Sequence, residues 1–275
     1  MNKIESKKET SYNRLKENGV IFMKPTLFIS HITEEKDLAN LLKDEINKKF
    51  MNMFNIFVSS DGDSISAGSE WFNTIKTYLN EADVMVVLVS KESIKKPWLS
   101  FELGAGWMKK IPTIPLCHTD MIVGQLPSPI NQLQALSITN EDNMMQLIKT
   151  LESVLKDNVE IDIPSSQLTL NQSFYERVLK FETEYGFLKR VINSINIISD
   201  KAPELNGLFD KGNIGKKITI DLTDVNLQKI ESELSELQSY DVLDYTINPR
   251  GNTRVDGWVY IEVDILLKDR LREIF

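Results

Sequence analysis

One cysteine, two histidines and no apolar run longer than six residues set the first limits on this 275-residue chain. The lone Cys117 excludes an internal disulfide. His31 and His118, with no Cys-x-x-Cys pair in the chain, exclude a zinc site of the usual spacing. Cys117 and His118 are neighbours, which suits a strand end better than a pair of metal ligands. The longest apolar run, Val84 to Val89, is far short of the roughly 20 residues that span a bilayer. The amino-terminal Met-Asn-Lys-Ile-Glu-Ser-Lys-Lys-Glu-Thr has no apolar signal core. A cytoplasmic protein with no membrane contact is expected. Positive charge is also scarce: 32 Lys and Arg stand against 40 Asp and Glu, a net charge of −8 with pI ≈ 5.0. Duplex DNA and anionic lipid would repel such a surface, so no nucleic-acid partner is expected. Two phosphate-gripping signatures are missing as well. There is no Gly-x-Gly-x-x-Gly after the first strand and no Gly-x-x-x-x-Gly-Lys-Ser/Thr, so a bound nucleotide would be a substrate rather than a resident cofactor.

What is present is ordinary globular material, 41% hydrophobic and 26% charged, in a chain long enough for two domains. The first half alternates strands with helices. Thr26 to Ser30 reads as a buried strand ending near His31. Thr33 is a plausible cap for a helix with Glu34 and Glu35 in its first turn and Leu38, Leu41, Leu42 and Ile46 on one face. Asn55 to Val58 is a second strand, and Ser59 to Gly68 is a turn-rich loop. A helix carrying Trp71, Phe72, Ile75 and Leu79 follows, then the apolar Val84 stretch, a central strand covered on both faces. Ile111 to Cys117 is a strand whose prolines favour an outer place. Gly124, Pro127 and Pro129 mark a loop, Leu133 to Ile138 a last short strand, and Glu141 to Leu155 a closing helix. Five strands alternating with helices imply a parallel sheet wrapped on both sides, with ligands beyond the carboxyl ends of its strands.

Between the third and fourth strands lies Pro97-Trp-Leu-Ser-Phe-Glu-Leu-Gly-Ala-Gly-Trp-Met. Pro97 suits the first turn of a helix, which sets Trp98 and Glu102 four apart on one face. Gly106, one turn on, leaves that face open. Leu99, Leu103 and Trp107 form a neighbouring stripe to bury, which puts Glu102 at the margin of the core.

Taken together, Leu27-Phe-Ile-Ser-His, the Val58-to-Trp71 loop and helix start, Val84 to Ser90 and the Ser93–Ala105 box resemble, in order and spacing, a TIR domain of the bacterial type from about Pro25 to Leu155. The resemblance implies a flavodoxin-like five-stranded parallel sheet. It also implies an enzyme that cleaves the nicotinamide–ribose bond of NAD. Glu102 would be the catalytic carboxylate and Trp98 would shape its pocket; Ser30 and His31 would line the crevice. The Asp63–Trp71 stretch would close over substrate or pack on a neighbouring subunit. Trp98 and Trp71 also read as core aromatics, and His31 as a helix cap or a solvated side chain. No cofactor is implied, only NAD as substrate. Family members complete their sites between subunits, so a homo-oligomer is expected, with a protein or small molecule as activator and anti-phage defence as the setting. A rival product is a cyclic or conjugated ADP-ribose signal; a further rival is a non-catalytic adaptor or virulence factor.

The second half resembles no family. The expected division is an extension over 1–24, the TIR domain over 25–158 and a smaller α+β sensing or oligomerisation domain over 165–275. Phe174, Val178, Phe181, Tyr185, Leu188, Ile192 and Ile195 form a heptad-like seam over about 28 residues, with Gly186 a possible break. Ile218 to Leu222 reads as a strand, Leu227, Ile230, Leu234 and Leu237 as one face of a helix, and Tyr240 to Leu266 as a hairpin around Pro249-Arg-Gly-Asn. A winged helix fits that order, but the acidic surface argues against DNA.

Overall fold

Ahead of the first expected strand, Arg14–Glu17 (β1) and Val20–Met23 (β2) pair antiparallel within the stretch read as an extension. The computed structural model describes residues 14–17, 20–60, 69–158, 163–205, 208–209, 217–249 and 258–265. The chain divides into two compact units, Met1–Thr183 and Glu184–Phe275.

In the first unit the apolar runs become five parallel strands. They are Thr26–His31 (β3), Asn55–Ser60 (β4), Val84–Val89 (β5), Thr113–Cys117 (β6) and Leu136–Ser137 (β7), in the order β4-β3-β5-β6-β7. This is the flavodoxin-like parallel sheet expected. Every residue of β3, β5 and β6 is buried, as strands covered on both faces must be. The helices between them are Lys36–Lys49 (α1), Ser69–Glu81 (α2), Pro97–Lys109 (α3) and Glu141–Asn158 (α4). Side-chain alternation sorts the two faces. Phe28, Met85, Val87, Val89 and Cys117 form one core with Ile75 and Leu79 of α2 and Leu99 and Leu103 of α3. Leu27 and Ile29, one step out of phase, are left to the face where α1 packs on β3 and β4.

Several sequence expectations shift here. Thr33 does not cap the helix but begins a single 3-10 turn, Thr33–Glu35, before α1, and Glu35 is fully buried. β4 runs on through Ser59 and Ser60, so the loop after it starts later; the rest of that loop, Asp63 included, lies outside the described residues. The last strand, expected over Leu133 to Ile138, shrinks to two residues: Leu133 ends the 3-10 turn Ile130–Gln132, and the chain from there to Ala135 is irregular. β6 is next to the edge rather than at it, and Pro115 is tolerated because β7 reaches only Leu116 and Cys117.

After the short helix Ser165–Leu168 (α5), a single helix runs from Gln172 to Lys201 (α6), unbroken at Gly186. Its buried residues start as expected at Phe174, Val178, Phe181 and Tyr185, but pass to Val191, Ile195 and Ile198 instead of through Ile192. An α-helix of 3.6 residues per turn drifts off a strict heptad. In the second unit that later stripe packs with Leu227, Ile230, Leu234 and Leu237 of Asp224–Ser239 (α7) and with Val263. This part of the seam is therefore filled inside its own unit. Lys217–Thr223 (β8), Leu243–Pro249 (β9) and Trp258–Ile265 (β10) form an antiparallel sheet in the order β8-β10-β9. The turn after Pro249 lies outside the described residues. No helix among those described is long and apolar enough to cross a membrane, and they contain no His, Cys, Asp or Glu cluster suited to a metal.

Candidate active site

Glu102 sits one turn into α3, which Pro97 opens at its first residue. The side chain is not at the core margin but fully buried. α3 comes close enough to bury it because Gly106 lies against the sheet. A Cβ there would stand 2.5 Å from Thr113 Oγ1 and 3.1 Å from Met85 Sδ. The glycine face expected to be open is thus the contact itself, while Trp107, expected in the buried stripe, is 53% exposed.

A buried carboxylate needs donors, and two serines supply them. Ser30 Oγ donates to Oε2 of Glu102, and Ser59 Oγ donates to Oε1 at 3.0 Å. Ser30 and Ser59 are register partners at the carboxyl ends of β3 and β4. Two residues back, Phe28 and Phe57 are partners too and touch at 5.4 Å between centroids, with Tyr78 of α2 stacked on Phe57 at 3.9 Å. The aromatic layer holds the two strand ends beneath α3, and the serines continue the same face up to the acid. A negative charge in a water-poor place, held by two neutral hydroxyls, can stabilise a developing cation strongly.

The stretch from the 27th to the 151st residue matches the family model of the TIR domain. Residues 27–151 form a TIR domain. No curated protein matches the chain.

Of the residues expected in the TIR crevice, the fold joins Ser30 to Glu102. Trp98 is half-buried, packs against the core under α3 and lies 5.2 Å from the Phe101 ring. His31 follows Ser30 on the strand and so faces the other way; its Nδ1 lies 2.6 Å from the carbonyl oxygen of Ile32. Asp63 is outside the described residues. Trp71 belongs to α2, but its side chain is outside the described part. Sequence reading placed Ser59 at a loop start and missed its bond to Glu102. A signal was present: Phe28-Ile-Ser30 and Phe57-Val-Ser59 repeat the same three-residue ending in neighbouring strands.

A second acid was also missed. Glu35 Oε1 accepts from Ser90 Oγ at 2.6 Å and lies 3.1 Å from His118 Nε2, both side chains fully buried. Its Oε2 accepts the backbone N–H of Ile32 at 3.3 Å. Ser90 and His118 each follow a residue of the α2/α3 core, Val89 and Cys117, so alternation turns them to the α1 face, where Glu35 is. Nearby, burial pushes the Cys117 thiol up to about 11, which leaves it a core residue rather than a nucleophile. Lys109 closes α3 by donating to the carbonyls of Leu79, Asn80 and Ala82 at 2.7–3.0 Å, tying the end of α2 to α3. Burial lowers its pKa. Two cavities, of about 480 and 230 Å³, lie between α3 and the 122–133 connection and are lined by Trp107, Leu133 and their neighbours. Neither contains Glu102, Ser30 or Ser59, so the donor set and not the cavity marks the site.

Proposed function

We propose that this TIR domain cleaves the nicotinamide–ribose bond of NAD, with Glu102 as the catalytic carboxylate. The observation that carries the reading is a fully buried carboxylate, at the carboxyl edge of a parallel sheet, that accepts the hydroxyls of Ser30 and Ser59 from two neighbouring strand ends. The ring nitrogen of nicotinamide takes the electron pair of the breaking bond and leaves neutral, so no acid is needed for the leaving group. The ribose carbon becomes oxocarbenium-like, and a fixed negative charge lowers that barrier as in glycoside cleavage. Water then adds to the carbon, and its proton passes to the carboxylate and on to solvent. Ser30 and Ser59 occupy the places that ribose hydroxyls would take, so substrate binding exchanges one neutral donor for another. NAD is the substrate, and no resident cofactor is needed for these steps. TIR domains commonly self-associate, and we place this one in the cytoplasm as an anti-phage effector that assembly of copies, or an activator acting on the second unit, switches on.

The test uses purified full-length protein, alone and artificially clustered, incubated with NAD beside Glu102→Ala, with products separated by chromatography. Free nicotinamide and ADP-ribose from the parent and none from the variant are expected. Unchanged NAD in every condition would favour a non-catalytic adaptor. Equal turnover by the variant would sink the assignment of Glu102. A cyclic or conjugated ADP-ribose would make the protein a producer of signal.

A further inference from the structure

The Glu35 centre has no part in the chemistry just described, yet it reaches the catalytic crevice on one side and α6 on the other. Toward the crevice, Glu35 fixes the N–H of Ile32, two residues beyond the Ser30 that donates to Glu102. Toward α6, its partner His118 is held on three sides. Its backbone N–H donates to Val89 O at 3.1 Å, its Nδ1 lies 3.0 Å from Thr119 Oγ1, and its ring lies 5.9 Å from Phe181 at 61°. Thr119 has φ 52, a left-handed backbone that a β-branched residue adopts only when its surroundings impose it. Two bonds hold that turn: the Met121 N–H donates to His118 O at 3.2 Å, and, from α6, Glu182 Oε1 accepts the Thr119 N–H at 2.5 Å. α6 is seated on the TIR domain at its start as well, where Arg177 Nη2 meets the buried Glu45 of α1 at 3.1 Å.

We propose that Glu182 is a positioning residue of the Glu102 crevice, acting through the Thr119 turn, His118 and Glu35 on the strand end that carries Ser30. The helix that leads into the second unit thus supplies a side chain the TIR site needs for its working geometry. The proposal rests on the NAD-cleaving reading, and its test separates the two.

Full-length Glu182→Ala and Glu182→Gln are compared with the parent. The glutamine keeps an oxygen for the Thr119 N–H, and the alanine does not. In NAD cleavage by clustered protein, the alanine variant is expected to lose about tenfold in kcat with KM within about twofold, as misplaced catalytic geometry does, and the glutamine variant to recover at least half. In amide NMR spectra, the Ser30 and His31 signals should move in the alanine variant and stay near their parent positions in the glutamine variant. Ser30 and His31 signals unmoved in Glu182→Ala would overturn the proposal, as would an activity loss that glutamine fails to rescue and that follows the thermal midpoint. If the parent leaves NAD intact, the function reading fails, and the NMR comparison still decides the role of Glu182.

Discussion

Two carboxylates are fully buried at the same edge of one sheet, and their partners differ in kind. Glu102 takes hydroxyl donors from β3 and β4. Glu35 takes a hydroxyl, a backbone N–H and a facing imidazole, from positions following β3, β5 and β6. Serine hydroxyls rotate and can be replaced by the hydroxyls of a sugar. A backbone N–H and a histidine wedged among strand ends cannot be replaced without opening the fold. On the proposed reading, burial alone does not separate the reacting acid from the structural one; the exchangeability of the donors does.

Substitution at each centre sharpens the contrast. Glu102→Gln should cut NAD turnover by roughly a thousandfold, the upper range for removal of a preorganised electrostatic group. Its thermal midpoint should stay close to the parent, because an amide can still pair with both serines. Calorimetry that shows a large loss of stability would make Glu102 structural and erase the distinction. Glu35→Leu should do the reverse: stranding Ser90, the Ile32 N–H and His118 in the interior costs about 3–5 kcal/mol. Chemical denaturation would read that loss directly, and an unchanged midpoint would show that the Glu35 centre holds nothing.

Gly106→Ala tests the approach of α3 that brings Glu102 down to its serines. Overpacking against Thr113 and Met85 should cost about 1–3 kcal/mol, with a fall in NAD turnover larger than the fall in stability predicts. Equal effects on both would mean that the helix position does not set the site.

The smallest effect concerns Glu182. Burial is the first cause of its raised pKa and the Asp120 charge adds to it, against the Thr119 N–H and His118, which lower it. A carboxyl whose folded value lies above its unfolded one contributes stability that is complete below the ordinary glutamate range and is lost as pH rises through the raised value. Glu182→Gln should therefore be more stable than the parent at neutral pH, with the gap closing in acid. A constant gap across a pH series of thermal midpoints would contradict that.

Much of this was legible in the chain. Apolar runs marked β3, β5 and β6, and Pro97 marked the start of α3, because each depends on neighbours within a turn or a strand. Gly106 and Trp107 were misjudged because which side of α3 meets the sheet depends on Thr113 and Met85, distant in sequence. Ser59 was taken for loop and Glu35 for an acid of a helix's first turn, since the partners of each come from other strands.

The order of strands and helices in the first unit and the helix carrying Glu102 were thus set by local pattern: periodicity, a proline and a run of β-branched and apolar residues. Strand order and the parity of each strand end decided the rest. They put Ser30 beside Ser59 on one face, and Ser90 and His118 on the other, and so determined which buried acid is left with exchangeable donors and which is locked in place.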